Sequence, residues 1–227
     1  MANYLYLLLD LGSCFLPLLF SFHPKIKFHQ HFKPLFLGIA VSALVYLSWD
    51  VLFTQWGIWG FNAEYLCGIF ILGLPLEELL FFVCIPFACL FTMEVLEQHL
   101  WKGYFPKRIK SFFYILVVLF LAIGLFNVDK TYTATSFILA AVITLLAIWK
   151  LGLNQLGSFL LGFLIILIPF FAVNGILTGS LLEKPVVWYN NAENLGIRIG
   201  TVPIDDVSYA WGMLLLPYLI LQITRKK

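Results

Sequence analysis

Seven stretches of the chain, roughly 3–22, 34–53, 73–95, 111–127, 132–150, 157–178 and 203–223, are nearly unbroken runs of apolar residues. Each is close to the ~20 residues that a helix needs to cross a bilayer. The pattern predicts an all-α, polytopic membrane protein of about seven transmembrane helices, with the stretch 66–74 either interfacial or part of the third span. The first run follows Met1-Ala2-Asn3 with no basic residues before it and no small-x-small cleavage site after it. It is therefore expected to be a retained helix rather than a signal peptide.

Composition supports the same reading. Apolar residues make up 62% of the chain and charged residues 11%, against about 45–50% apolar in a soluble domain. The formal net charge of +2 is small and dispersed, and no basic cluster lies beside a stacking platform, so nucleic acid is excluded as a partner. Counting Lys and Arg in alternate connections gives an orientation. Lys25, Lys27, Lys33, Lys102, Lys107, Arg108, Lys110, Lys150, Arg225, Lys226 and Lys227 fall on one side, and Lys130, Lys184 and Arg198 on the other. The positive-inside rule then predicts a multi-pass protein of the inner or plasma membrane, with its N-terminus outside and its C-terminus cytoplasmic. Cys14, Cys67, Cys84 and Cys89 lie in or beside apolar runs without CxxC spacing and read as small buried hydrophobes.

The chain repeats itself. Trp59-Gly60-Phe61-Asn62-Ala63-Glu64 matches Trp188-Tyr189-Asn190-Asn191-Ala192-Glu193, and Leu74-Pro75-Leu76-Glu77-Glu78 matches Val202-Pro203-Ile204-Asp205-Asp206 after a one-residue slip. Helices one to three then align with helices five to seven. A three-helix unit can recur in the same orientation only if one further helix intervenes, and helix four is that spacer. The expected organisation is a first repeat over 1–110, a spacer helix over 111–130 and a second repeat over 131–227, the two repeats running parallel.

Each repeat carries two adjacent acids just inside the non-cytoplasmic end of a helix. Acids in a first turn complement the positive end of the helix dipole, and a preceding Pro suits a helix start. That accounts for one acid better than for two in each copy, because an ionised carboxyl costs about 2.5–3.5 kcal/mol at the centre of a span. Two neighbouring carboxyls in a poorly hydrated site also repel each other, which keeps one protonated and makes a proton donor facing an apolar cavity. Asp10 and Asp50 fall in the same outer half and either extend this site or are wet at the interface. Asn62, Glu64, Asn191 and Glu193 sit in the preceding loops, where they order the chain or reach the site. Aromatic residues are 18% of the chain, and Trp59, Phe81, Phe82, Trp188 and Tyr209 are among those flanking the acids. They belong to an interfacial belt and core, or their ring faces steady a cation such as a carbocation.

Absences narrow the chemistry. No GxGxxG or Walker sequence is present. His23, His29, His31 and His99 are too few and wrongly spaced for a multi-histidine di-iron enzyme, and read as loop residues. The seventh span holds no Lys for a retinal Schiff base, and the acids lack D-x-x-x-D spacing for a magnesium diphosphate site. No cofactor and no metal is expected.

Two segments carry a family resemblance. Trp56-Gly57-Ile58-Trp59-Gly60-Phe61-Asn62 with Gly73-Leu74-Pro75-Leu76-Glu77-Glu78-Leu79-Leu80-Phe81-Phe82, and Gly196-Ile197-Arg198-Ile199-Gly200-Thr201-Val202-Pro203-Ile204-Asp205-Asp206, resemble the two halves of the membrane-bound, non-flavin lycopene cyclases. Here the two halves are fused. In the second half Asp205-Asp206 stands where Glu-Asp is more usual in that family, and Val207-Ser208-Tyr209 replaces a Phe-rich continuation. The resemblance implies a redox-neutral isomerisation of lycopene dissolved in the bilayer to β-rings, giving γ- and then β-carotene. Glu77, Glu78, Asp205 and Asp206 would form the acid–base group, and Asp50 with the flanking aromatic and loop residues would bind the substrate or its cation. Association with other carotenoid-pathway enzymes or with a second copy would be in keeping. The competing readings are a proton-coupled transporter, a cyclase of another polyprenoid, and a structural assembly subunit.

Overall fold

A computed structural model of the chain describes residues 2–99 and 105–225. Among the described residues seven α-helices carry the fold: α1 Leu5–Phe20, α2 Phe32–Gln55, α3 Leu76–His99, α4 Arg108–Phe126, α5 Thr131–Lys150, α6 Leu153–Leu177 and α7 Asp205–Arg225. Six are long and apolar enough to cross a membrane. α1 is the exception at 16 residues, about 24 Å at 1.5 Å per residue. Its expected run of 3–22 is shortened because a 3-10 turn precedes it at Ala2–Tyr4 and the chain leaves the helix at Ser21. All seven apolar runs become helices, and the protein is an all-α polytopic membrane protein.

The basic positions at the α1–α2 connection, the α4 start, the α5 end and Arg225 share one end of the bundle, opposite Lys130, Lys184 and Arg198. Lys102, Lys226 and Lys227 lie outside the described residues.

α7 is the packing centre, lying against α2, α3, α5 and α6. Small residues let it approach α2 closely, as at interfaces between membrane helices. A side chain at Gly38 would run into the backbone of Pro217, and Ser42 Oγ donates to the Met213 carbonyl at 3.0 Å. On the other side Trp211 Nε1 donates to Thr144 Oγ1 of α5 at 2.9 Å. α4 packs along α5, and α1 along α3.

Six short strands lie in the loops at the acid-bearing end: β1 Trp59–Phe61, β2 Phe70–Ile71, β3 Leu74–Pro75, β4 Val187–Tyr189, β5 Arg198–Ile199 and β6 Val202–Pro203. β2–β3 and β5–β6 are two-residue hairpins that feed α3 and α7. Their turns need positive φ, supplied by Leu72 and Gly73 in the first and by Gly200 in the second. Pro75 and Pro203 therefore close hairpins rather than begin helices, where their missing N–H costs no ladder bond. Residues 66–74 lie outside α3, and Ile69, Phe70, Ile71 and Leu72 are exposed. β1 pairs antiparallel with β4, Gly60 opposite Trp188, and this seam ties the two halves together.

Candidate active site

The start of each acid-bearing helix is built in the same way. Ten residues before the first acid, a loop amide turns back and donates to it: Cys67 N to Glu77 Oε1 at 2.6 Å, and Leu195 N to Asp205 at 3.3 Å to Oδ2 and 3.4 Å to Oδ1. The residue before each acid pair is also tied back, Leu76 N to the Ile69 carbonyl and Ile204 N to the Ile197 carbonyl, both at 2.9 Å. Thr133 Oγ1 adds a 2.5 Å bond to Asp205. The first acid of each pair thus fastens its hairpin loop to the membrane helix. Glu77 keeps one buried oxygen, Oε2, without a partner.

The second acid of each pair turns into the bundle. Tyr6 Oη donates to Glu78 Oε2 at 2.6 Å, and Tyr132 Oη donates to Asp206 Oδ1 at 2.5 Å. Asp206 also accepts from Asn174 Nδ2 at 2.8 Å and Tyr189 Oη at 3.1 Å. Burial, and then the neighbouring Asp206, pushes the Tyr189 phenol well above its ordinary range. It therefore stays a neutral donor.

Glu78 and Asp206 line one shared cavity of about 250 Å³, together with Asp50, Trp59, Phe81, Tyr189 and Tyr209. The wall continues along α3 from Glu78 to Thr92 and along α6 from Leu177 to Phe163, and includes Ser13 and Pro17 of α1. Fourteen residues at 1.5 Å each make it a groove about 20 Å long. Beyond its carboxyl end the groove is lined by side chains such as Ile85, Ile166, Phe170 and Leu214. Both halves of the chain contribute to this one groove.

Asp50 is buried on α2 beside Glu78 and Trp59, yet neither of its oxygens meets a partner at hydrogen-bond geometry. Asp10 is likewise buried and without a partner, one turn beyond Tyr6 on α1, but is not part of the wall.

The remaining residues singled out from the sequence lie elsewhere. Asn62 Oδ1 accepts from Glu64 N at 3.1 Å and shapes the turn after β1. The matching turn bond in the second half belongs to Asn190, whose Oδ1 accepts from Ala192 N at 3.1 Å, whereas Asn191 Oδ1 accepts from Arg198 Nη2 at 2.8 Å. Glu64 pairs with Lys184 at 3.0 Å in solvent, and this bond raises the Lys184 ammonium above its ordinary range. Glu193 Oε2 accepts from Thr131 N at 3.0 Å, and its carbonyl accepts from Tyr132 N at 3.0 Å. It fixes the start of α5 and hence the position of Tyr132. Phe82 packs in the core against Tyr46, and Trp188 lies over Gly60, half exposed.

Tyr6, Tyr132 and Asn174, and the role of Tyr189 as a donor to Asp206, were not legible as site features in the sequence. The signal for the first two is a register: Tyr6 and Tyr132 are each the second residue of the helix that begins its half.

A helical membrane protein whose buried carboxyls meet at one end of a long apolar groove is of the class that handles lipid-soluble molecules. The chain belongs to the lycopene cyclase family, whose model matches twice, over residues 3–96 and 129–224. The protein is accordingly an enzyme of carotenoid cyclisation acting within the membrane. The two matched segments begin 126 residues apart, the spacing of Tyr6 and Tyr132. No curated protein and no solved structure matches the chain.

Proposed function

We propose that the protein is a lycopene β-cyclase, converting the acyclic ends of lycopene to β-rings and giving γ- and then β-carotene. The observation that carries this reading is the pair of buried carboxyls, Glu78 and Asp206, at one end of an elongated apolar groove. A long hydrocarbon can lie along such a groove with its terminus against the acids. Protonation of the terminal double bond gives a tertiary cation, the neighbouring internal double bond closes the ring, and loss of a ring proton restores neutrality. The chemistry needs a general acid and a general base, together worth several powers of ten in rate, and groups that tolerate positive charge. Trp59, Phe81 and Tyr209 present aromatic rings at this end, and a desolvated ring face attracts a cation.

Within each pair the second acid, Glu78 or Asp206, does the chemistry. The first acid, Glu77 or Asp205, holds the hairpin that shapes the groove. Residues 1–110 and 131–227 are the two fused cyclase units, with 111–130 the spacer between them. The chain sits in the inner or plasma membrane with its basic end cytoplasmic.

Expression in a bacterium that accumulates lycopene, with the extracted pigments resolved by chromatography, tests the reading. The expected result is loss of lycopene with appearance of γ- and β-carotene. Unchanged lycopene alongside membrane-inserted protein would overturn it.

A further inference from the structure

The two cavity acids are held by different company. Each accepts from a tyrosine near the start of the first helix of its half, and each faces a residue on the second helix of that half. In the second half that residue is Asn174 of α6, so Asp206 receives three donors: Tyr132 at 2.5 Å, Asn174 at 2.8 Å and Tyr189 at 3.1 Å. In the first half it is Asp50 of α2, an acid whose two oxygens find no donor, although the carboxyl is almost fully buried and borders the cavity. Among the described residues Glu78 therefore has one donor at hydrogen-bond geometry, Tyr6, and one neighbouring carboxyl, Asp50.

Hydrogen-bond complementarity separates the two arrangements. Three donors around a carboxyl match its charged form. Two neighbouring carboxyls in one apolar cavity, with Tyr6 the one donor at hydrogen-bond geometry among the described residues, are matched by a single shared proton, because two charges there repel and the pair is doubly charged only until a proton returns. The cavity thus has a proton-bearing wall from the first half and an anionic wall from the second.

The geometry points to Glu78, sharing one proton with Asp50, as the donor that starts cyclisation, and to Asp206 as the carboxylate that steadies the cation and takes the ring proton. This rests on the carotenoid-cyclising reading given above. The proton of Glu78 forms a C–H bond at the terminal double bond and leaves a tertiary cation. The electron pair of the internal double bond forms the ring C–C bond. Asp206 then removes a ring C–H proton, whose electrons form the ring double bond. Glu78 ends charged and Asp206 neutral, so one proton must return across the cavity. Tyr189 donates to Asp206 and lines the same cavity as Glu78 and Asp50, so its hydroxyl is placed to carry that proton back.

Deuterium separates the two roles. Wild-type, E78Q, D50N and D206N proteins are supplied with lycopene in vesicles made in deuterated water, at matched amounts of inserted protein, and both product and recovered lycopene are analysed by mass spectrometry. Wild type should place one deuteron in each ring formed, because the returned proton exchanges with the deuterated water before the next end is protonated. D206N should lose product by on the order of 100-fold, the scale of one acid–base group. It should nevertheless return deuterated lycopene, because the first protonation still occurs and reverses. E78Q and D50N should give neither product nor exchange. Y132F, which removes one donor from Asp206 and keeps the buried ring, should show the D206N pattern in weaker form. Exchange that persists in E78Q, or is absent from both D206N and Y132F, would overturn the division of roles. Failure of the wild type to cyclise lycopene at all would instead remove the underlying reading.

Discussion

α1 and α5 begin the two halves and carry the same device, a tyrosine that donates to the cavity acid, yet they are buried very differently. α5 buries eleven residues between α4 and α7, whereas α1 buries only Tyr6 and Asp10. The difference follows from the spacer helix: α4 packs along α5, and α1 has α3 as its main helical partner. Its remaining surface, including Leu8, Leu11, Phe15 and Leu19, is exposed. The acid-bearing end of the unit is alike in the two halves, whereas the packing of their first helices differs. Of the helices that open the two halves, α5 is enclosed and α1 leaves most of its surface exposed.

That contrast makes unequal demands on equivalent residues. Tyr6 is the one hydroxyl donor to Glu78, whereas Tyr132 is one donor of three to Asp206. A hydrogen bond to a charged or proton-sharing acid is worth about 1.5–3 kcal/mol. Tyr6→Phe should therefore lower the initial rate of cyclisation about tenfold or more, and Tyr132→Phe by less, when the two are assayed side by side in vesicles. Equal losses would mean that the halves are energetically alike despite their different surroundings.

The seam between the halves gives a smaller effect, read in stability rather than rate. A methyl at Gly60 would collide with the Trp188 ring across the β1–β4 pair. Gly60→Ala should cost about 1–3 kcal/mol, the usual scale of overpacking. A lowered midpoint of thermal unfolding in detergent would show it, and an unchanged midpoint would mean that Trp188 swings freely into solvent.

Much of this was legible in the sequence because lipid imposes a simple rule: a run of about 20 apolar residues must become a helix. The repeat, the spacer and the paired acids could be read for the same reason, since charge inside such a run is conspicuous. What remained hidden was how each pair divides. Glu77 and Glu78 are adjacent and alike as letters, and they are distinguished by the Cys67 amide that returns to Glu77 from ten residues upstream and by the Tyr6 hydroxyl that meets Glu78. Tyr6 and Tyr132 were hidden because a tyrosine at the edge of an apolar run reads as part of an interfacial belt. Asn174 lies alone in a long apolar stretch, with nothing in its neighbourhood to connect it with Asp206. The loops Asn62, Asn191 and Glu193 were visible as a motif, but Glu193 acts at a distance by fixing the start of α5. The W-x-x-N-A-E match also aligned Asn62 with Asn191, while the turn bond belongs to Asn190.

On the function proposed, the second acid of each half acts on the substrate and the first acid holds the loop. Initial rates of lycopene cyclisation in vesicles, normalised to folded protein, for Glu78→Gln and Asp206→Asn against Glu77→Gln and Asp205→Asn test it most directly. The expected result is a loss of about 10²–10⁴ for the first two, as for removal of a general acid or base, with most of the activity kept by the folded fraction of the other two. Near-normal rates in Glu78→Gln or Asp206→Asn, with the large losses in Glu77→Gln and Asp205→Asn instead, would contradict it.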